Sequence, residues 1–196
     1  MKTSESIPFM LIIILMFAYI NTSFSQNLTD QNGLKQGKWI KNYNNGGKRY
    51  EGQFKNNKPI GEFKYFYKNG KLKAITKYEA NGDSAITTSY HKNGIKMAEG
   101  VYFKQLKEGK WLYYSNIDSA LISEENYMNG QLHGQVITYY PDSGNPAEIV
   151  EYEHGIREGL LRKFFPEGSI MTEGTYVNDS LDGEFTLYWP DGNIQV

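Results

Sequence analysis

From residue 37 onward, aromatic and polar positions alternate in short runs that are broken at regular intervals by glycine. In Gly61 to Gly82, the aromatic run Phe63, Tyr65, Phe66 and Tyr67 meets Asn69-Gly70, and a second run follows through Tyr78. Alternation at a period of two, broken by Asn-Gly, predicts a β-hairpin. The same unit starts at Gly37, Gly61, Ala85, Gly109, Gly134, Gly159 and Gly183, in steps of 24, 24, 24, 25, 25 and 24 residues. Two positions after each start stand Trp39, Phe63, Thr87, Trp111, Val136, Leu161 and Phe185; five after stand Asn42, Phe66, Tyr90, Tyr114, Tyr139, Phe164 and Tyr188. Seven residues before the last six starts the column is aromatic throughout: Phe54, Tyr78, Tyr102, Tyr127, Tyr152 and Tyr176.

The turns keep the same register. Asn45-Gly46, Asn69-Gly70, Asn93-Gly94, Ser143-Gly144, Glu167-Gly168 and Asp191-Gly192 close the hairpins, with proline fixing the strand end at Tyr140-Pro141, Phe165-Pro166 and Trp189-Pro190. Asn116 to Ser119 has no glycine and is expected to be the least regular turn. Asn81-Gly82, Asn129-Gly130 and His154-Gly155 mark the returns between hairpins, with Lys58-Pro59-Ile60 in place of one of them. A hairpin of this size cannot bury its own apolar surface, but a row of them can share rings between neighbours. The expected fold is all-β: an elongated, meandering antiparallel sheet of seven tandem hairpins over 37–196, the last truncated, after a lead-in over 26–36. Positions two and five after each start have opposite parity, so either both faces carry aromatics or a bulge at the repeat glycine realigns them. The bulge is the expectation adopted.

Residues 1–25 have the pattern of an export signal. Lys2 opens a short polar region, Phe9 to Ile20 is apolar, and Ser23-Phe24-Ser25 precedes Gln26 as a cleavage site. The alternative is an uncleaved signal anchor, although the run is short of the roughly 20 apolar residues a spanning helix needs. The 196-residue chain has no cysteine, so neither a lipid-modified cysteine nor a disulfide staple is available. A formal net charge of −1 gives no footprint for nucleic acid or for an anionic membrane, and membrane contact is expected only through the signal segment. The expected location is periplasmic or extracellular.

The strings Glu51-Gly52-Gln53-Phe54, Glu99-Gly100-Val101-Tyr102 and Glu173-Gly174-Thr175-Tyr176 resemble the E-G-x-[FY] core of MORN repeats. The Gly-x-[Trp/Phe]-x-x-[Tyr/Phe] pattern ahead of an Asn-Gly turn is similar to the bacterial MORN-repeat variant, many of whose members are labelled YwqK-family antitoxins. The resemblance implies a scaffold for proteins, and sometimes lipids, without a catalytic centre. Ile75-Thr76, Glu124-Glu125 and Ile149-Val150 depart from the Glu-Gly pair.

Candidate chemistry is sparse. His91, His133 and His154 fall at different repeat positions, and the adjacent Glu124 and Glu125 would point to opposite faces of a strand. No metal, cofactor or catalytic residue is expected. Asn27-Leu28-Thr29 and Asn178-Asp179-Ser180 match a glycosylation sequon. The column ending at Tyr176 is expected to be a structural ladder, whereas Tyr43, Tyr67, Tyr140, Phe165 and Trp189, beside the hairpin turns, are the candidate binding residues. The expected function is a non-catalytic module that binds or scaffolds a protein. An antitoxin-like or immunity role, and carbohydrate or lipid-surface binding through an aromatic groove, are the alternatives. Self-association is expected through the C-terminal edge, where Phe185, Leu187 and Tyr188 have no complete following strand. On the export reading, mass spectrometry of the secreted chain should find Gln26 at its N-terminus, and an intact Met1 would count against cleavage.

Overall fold

The computed structural model describes residues 26–79 and 81–195, so the proposed signal segment lies outside the described residues. All regular structure is β, in one antiparallel sheet whose 14 strands lie side by side in chain order. The short lead-in strand β1 (Leu28–Thr29) is followed by β2 (Lys35–Asn42) and β3 (Lys48–Lys55), the first hairpin. β4 (Lys58–Phe66) with β5 (Leu72–Tyr78), β6 (Ser84–Tyr90) with β7 (Lys96–Phe103), and β8 (Leu106–Tyr114) with β9 (Leu121–Met128) form the next three. β10 (Gln131–Tyr139) with β11 (Pro146–Glu153), and β12 (Ile156–Phe164) with β13 (Ile170–Val177), complete the fifth and sixth. β14 (Ser180–Leu187) is followed only by a single bridge between Tyr188 and Ile194. The antiparallel meander of hairpins is as the periodicity predicts.

Both faces of the sheet carry rings, which overturns the expected realignment. Side chains alternate along a strand, so Phe63 and Tyr65 share one face while Lys64 and Phe66 share the other. A bulge does occur at the repeat glycine. Glu51 pairs with Lys64 but Gln53 with Ile60, so two extra residues are accommodated on β4 at Gly61, whose φ is +64°. Two is an even number, and alternation resumes unchanged beyond it. In the third repeat Ala85 replaces this glycine, and β5 pairs with β6 without any shift in register. The two residues saved reappear in the connection, where Glu79 N–H donates to Ser84 O across a loop longer than its counterparts.

Those counterparts are two-residue turns with both residues at positive φ, such as Asn56-Asn57 and Asn178-Asp179, the mirror-image turns that suit the strand twist. Lys58-Pro59-Ile60, expected as a turn, instead opens β4, with Phe54 opposite Pro59. The glycine-free turn is completed by Ser119, which takes the left-handed φ of +67° where other repeats place glycine.

Packing on the first, aromatic face centres on the column two residues after each start, not on the column expected as the ladder. Phe63 is 2% exposed, and Trp111 and Leu161 are comparably buried. Phe54, Tyr78, Tyr102, Tyr127, Tyr152 and Tyr176 are only half-buried and flank this column. Phe54 and Tyr78 meet the Phe63 ring edge-on at 5.1 and 5.2 Å, and Tyr102 meets Trp111 at 4.9 Å.

Beneath three of the large rings lies a glycine of the preceding strand. A Cβ at Gly52 would overlap the Phe63 ring, one at Gly100 would overlap Trp111, and one at Gly174 would lie 3.0 Å from Phe185. Where the glycine is lost the ring is lost as well. Thr76 is followed by Thr87, Glu125 by Val136, and Val150 by Leu161. The Thr76 and Thr87 hydroxyls satisfy one another at 2.9 Å, which removes the cost of burying them. Gly100→Ala is therefore expected to destabilise the protein by about 1–3 kcal/mol through overpacking. Combined with Trp111→Leu, the same alanine should cost much less, a coupling that a double-mutant cycle in urea would measure.

Candidate binding faces

The second face is ionic. The glutamate of each Glu-Gly pair lies here and gathers a cation and the ring five residues after the next repeat start. Lys48 Nζ lies 2.8 Å from Glu51 and 5.4 Å from the centre of the Phe66 ring. Lys96 lies 2.9 Å from Glu99 and 4.2 Å from the Tyr114 ring, while the Tyr114 hydroxyl donates to Glu99 at 2.7 Å. Glu124 joins Lys110 and the Tyr139 hydroxyl, and Glu173 joins Arg162 and the Tyr188 hydroxyl. The Lys110 ammonium, with help from Tyr139, holds the Glu124 carboxyl below its ordinary 4.5. Tyr139 is in turn pushed up to about 12, by burial first and by Glu124 second. Glu125 turns to the aromatic face and accepts from Tyr127 at 2.5 Å, so the adjacent glutamates are separated as alternation requires.

The candidate binding residues beside the turns are half-buried, apart from Trp189, which is 51% exposed. Three of them tie one repeat to the next. The hydroxyls of Tyr43, Tyr67 and Tyr140 donate to the carbonyls of Phe66, Tyr90 and Phe164 at 2.8, 2.7 and 2.7 Å. His91 occupies the equivalent position, with Nε2 3.1 Å from Tyr114 O.

His133 and His154, 21 residues apart in the chain, lie with ring centres 5.4 Å apart, a juxtaposition not anticipated from their repeat positions. The equivalent positions explain it, because Glu108 and Glu158 accept from the turn N–H groups of Asn129 and Asn178. No group of three or more potential metal ligands occurs among the described residues.

Shallow recesses lie on the aromatic face. One of about 370 Å³ is bordered by Tyr65, Tyr78 and Tyr102 over a floor of Ala74, Thr76, Ala85 and Thr87. It continues into a second of about 310 Å³ between Phe54, Pro59, Phe63, Tyr65 and Tyr78. The recess follows from the third repeat, where small residues take the ring positions.

Lysines also reach onto this face from two residues before a repeat start. Lys107 Nζ is 5.0, 5.1 and 4.3 Å from the ring centres of Trp111, Tyr113 and Tyr127, and donates to both tyrosine hydroxyls. Lys35 lies 4.9 Å from Trp39 and 4.8 Å from Phe54, and Arg157 lies 4.3 Å from Tyr176. The sequence pattern alone did not single out these cations, because their column is mixed: Lys35, Pro59, Asp83, Lys107, Leu132, Arg157 and Leu181.

Lowered carboxyl pKa values make an acid-dependent contribution to stability. It is fully present above the ordinary value of 4.5 and lost as pH falls through the lower folded value. Glu124→Gln should thus cost about 1 kcal/mol or less at pH 7, where the pair is partly solvated. The difference from the parent should shrink in urea titrations as pH falls below 4.5.

A family model described as MORN repeat variant matches residues 59–80, 157–178 and 181–196. A comparison with curated proteins finds no match. The matched segments are the second, sixth and seventh repeats, so three of the seven hairpins are similar to the MORN repeat variant.

Proposed function

We propose that this chain is an exported, non-catalytic repeat protein that binds a protein partner along the aromatic face of its sheet. One observation carries the reading: the ring-bearing face has no second layer over it among the described residues, and its Phe54, Tyr78, Tyr102, Tyr127, Tyr152 and Tyr176 column stays half-exposed. Tyrosine offers a partner a rigid apolar ring and a hydroxyl at little entropic cost. The recesses beside Tyr65 and Tyr78 give that surface relief, which favours inserted side chains over a flat contact. The MORN-variant matches agree with a binding role for the repeats.

The C-terminal edge is a second route of association. Among the described residues β14 pairs with β13 alone, and its far side is met by the Tyr188–Ile194 bridge and by Gln195 N–H donating to Leu187 O. At the opposite end the lead-in covers β2, with Asn27 N–H donating to Lys38 O and the Trp39 indole donating to Leu28 O. Unpaired strand groups at the C-terminal end can accept an added strand from a partner or a second copy.

The two routes separate by mutation and capture from the exported fraction. Tyr152→Ser on the face should weaken partner capture at least tenfold, while Leu187→Lys on β14 should leave it intact and alter only the oligomeric state seen by light scattering. Capture unaffected by Tyr152→Ser and by a companion Tyr176→Ser would refute the face as the binding surface.

A further inference from the structure

The second and fourth repeats build the same three-ring box from corresponding positions. In the fourth, Trp111, Tyr113 and Tyr127 surround the ammonium of Lys107, and the two tyrosine hydroxyls are 3.5 Å apart. In the second, the corresponding rings are Phe63, Tyr65 and Tyr78, and the tyrosine hydroxyls are 3.2 Å apart. The pairs of rings on the two strands match closely: Phe63 and Tyr65 lie 6.2 Å apart at 27°, and Trp111 and Tyr113 lie 6.3 Å apart at 31°. The boxes differ in the residue that fills them and in their surroundings: Glu125, which accepts from Tyr127, is Thr76 in the second repeat, and Tyr50 packs against Phe63 and Tyr65 where the fourth repeat has Ala98. Lys107 faces Tyr102 across the strand pair, and its counterpart facing Phe54 is Pro59, which carries no charge.

We propose that the Phe63, Tyr65 and Tyr78 box receives a lysine side chain from a protein partner, in the manner that the fourth repeat receives its own Lys107. The proposal rests on the protein-binding reading above and names the chemistry of the contact. Ring faces attract a cation, most strongly where water is partly excluded. The Tyr65 and Tyr78 hydroxyls are placed as acceptors once their mutual bond opens, as those of Tyr113 and Tyr127 are for Lys107. The adjoining recess supplies room for an entering side chain beside Pro59. The nearest carboxylate is Asp83, which borders the neighbouring recess and is paired with the exposed Lys58 ammonium at 3.4 Å, so the rings and hydroxyls of the box itself carry the proposed contact.

The test compares a short peptide carrying one lysine, its norleucine counterpart, and tetramethylammonium, each titrated into the purified chain while the Tyr65 and Tyr78 ring resonances are followed by NMR. The lysine peptide should shift both rings saturably, with the norleucine peptide at least tenfold weaker. Pro59→Lys supplies an internal ammonium from the position Lys107 occupies and should weaken the lysine peptide at least tenfold. Tyr65→Phe keeps the ring but removes an acceptor, and should weaken it by about tenfold.

Equal shifts from the lysine and norleucine peptides, or binding unaffected by Pro59→Lys, would overturn the proposal. Saturable binding of tetramethylammonium without the lysine peptide would overturn it in favour of a quaternary ammonium headgroup. Capture of the native partner by the Pro59→Lys chain separates the two readings: undiminished capture together with loss through Tyr152→Ser would reject the box and retain the face.

Discussion

Among the described residues the sheet is one layer deep, so its rings are covered from the side and not from above. This constraint explains why glycine recurs two residues before the aromatic of the Glu-Gly-x-aromatic string. Gly52, Gly100 and Gly174 leave room for Phe63, Trp111 and Phe185 to lie down against the preceding strand, and flanking rings close over Phe63 and Trp111, while Phe185 stays exposed. The glutamate of the same string points to the opposite face and organises the ion and ring clusters there. One four-residue string thus serves both faces of the sheet, because neighbouring residues in a strand point opposite ways.

The third repeat shows how far one departure propagates and where it stops. Ala85 in place of glycine removes the bulge, the loop after Glu79 takes up the two residues, and threonines replace the ring and its glycine. Register recovers by the next strand, since Gly100 again carries Trp111. What remains is a gap in the row of rings, and that gap is the recess beside Tyr65, Tyr78 and Tyr102. The surface relief of the molecule therefore arises where small residues take the ring positions.

Strand order, repeat starts and hairpin turns were legible in the sequence because glycine turns and alternating rings act locally. Three features were not. The expected bulge at the repeat glycine is present, but its size was not legible: it inserts two residues at Gly61, and an even insertion leaves the alternation intact and Phe63 and Phe66 on opposite faces. Pro59 looks like a turn residue, yet the turn is made by Asn56 and Asn57, whose side chains tolerate positive φ. The regular column ending at Tyr176 was expected to be the centre of packing, whereas the more variable column containing Phe63, Thr87 and Leu161 is buried more deeply. Variation there reflects compensation with the preceding strand, which a column examined alone does not reveal. The ring boxes were hidden for a related reason: they join rings from both strands of a hairpin with a side chain at the start of its first strand, ahead of the bulge.

The sequential order of strands also determines how the molecule would respond to tension. Its N-terminal and C-terminal strands stand at opposite ends of the row, so a pull on the chain ends acts across the sheet and loads the ladders at its rims first. Hydrogen bonds between strands would then open one after another, in the manner of a zipper, instead of sharing the load in shear. The hydroxyl of Tyr43 bonded to Phe66 O, and those of Tyr67 and Tyr140 bonded to their own carbonyls in the following repeats, are cross-ties at the hairpin tips that each such step must also break. Stretching would lengthen the molecule in increments of a strand or a hairpin at modest force, giving it the character of an extensible tether rather than a stiff strut.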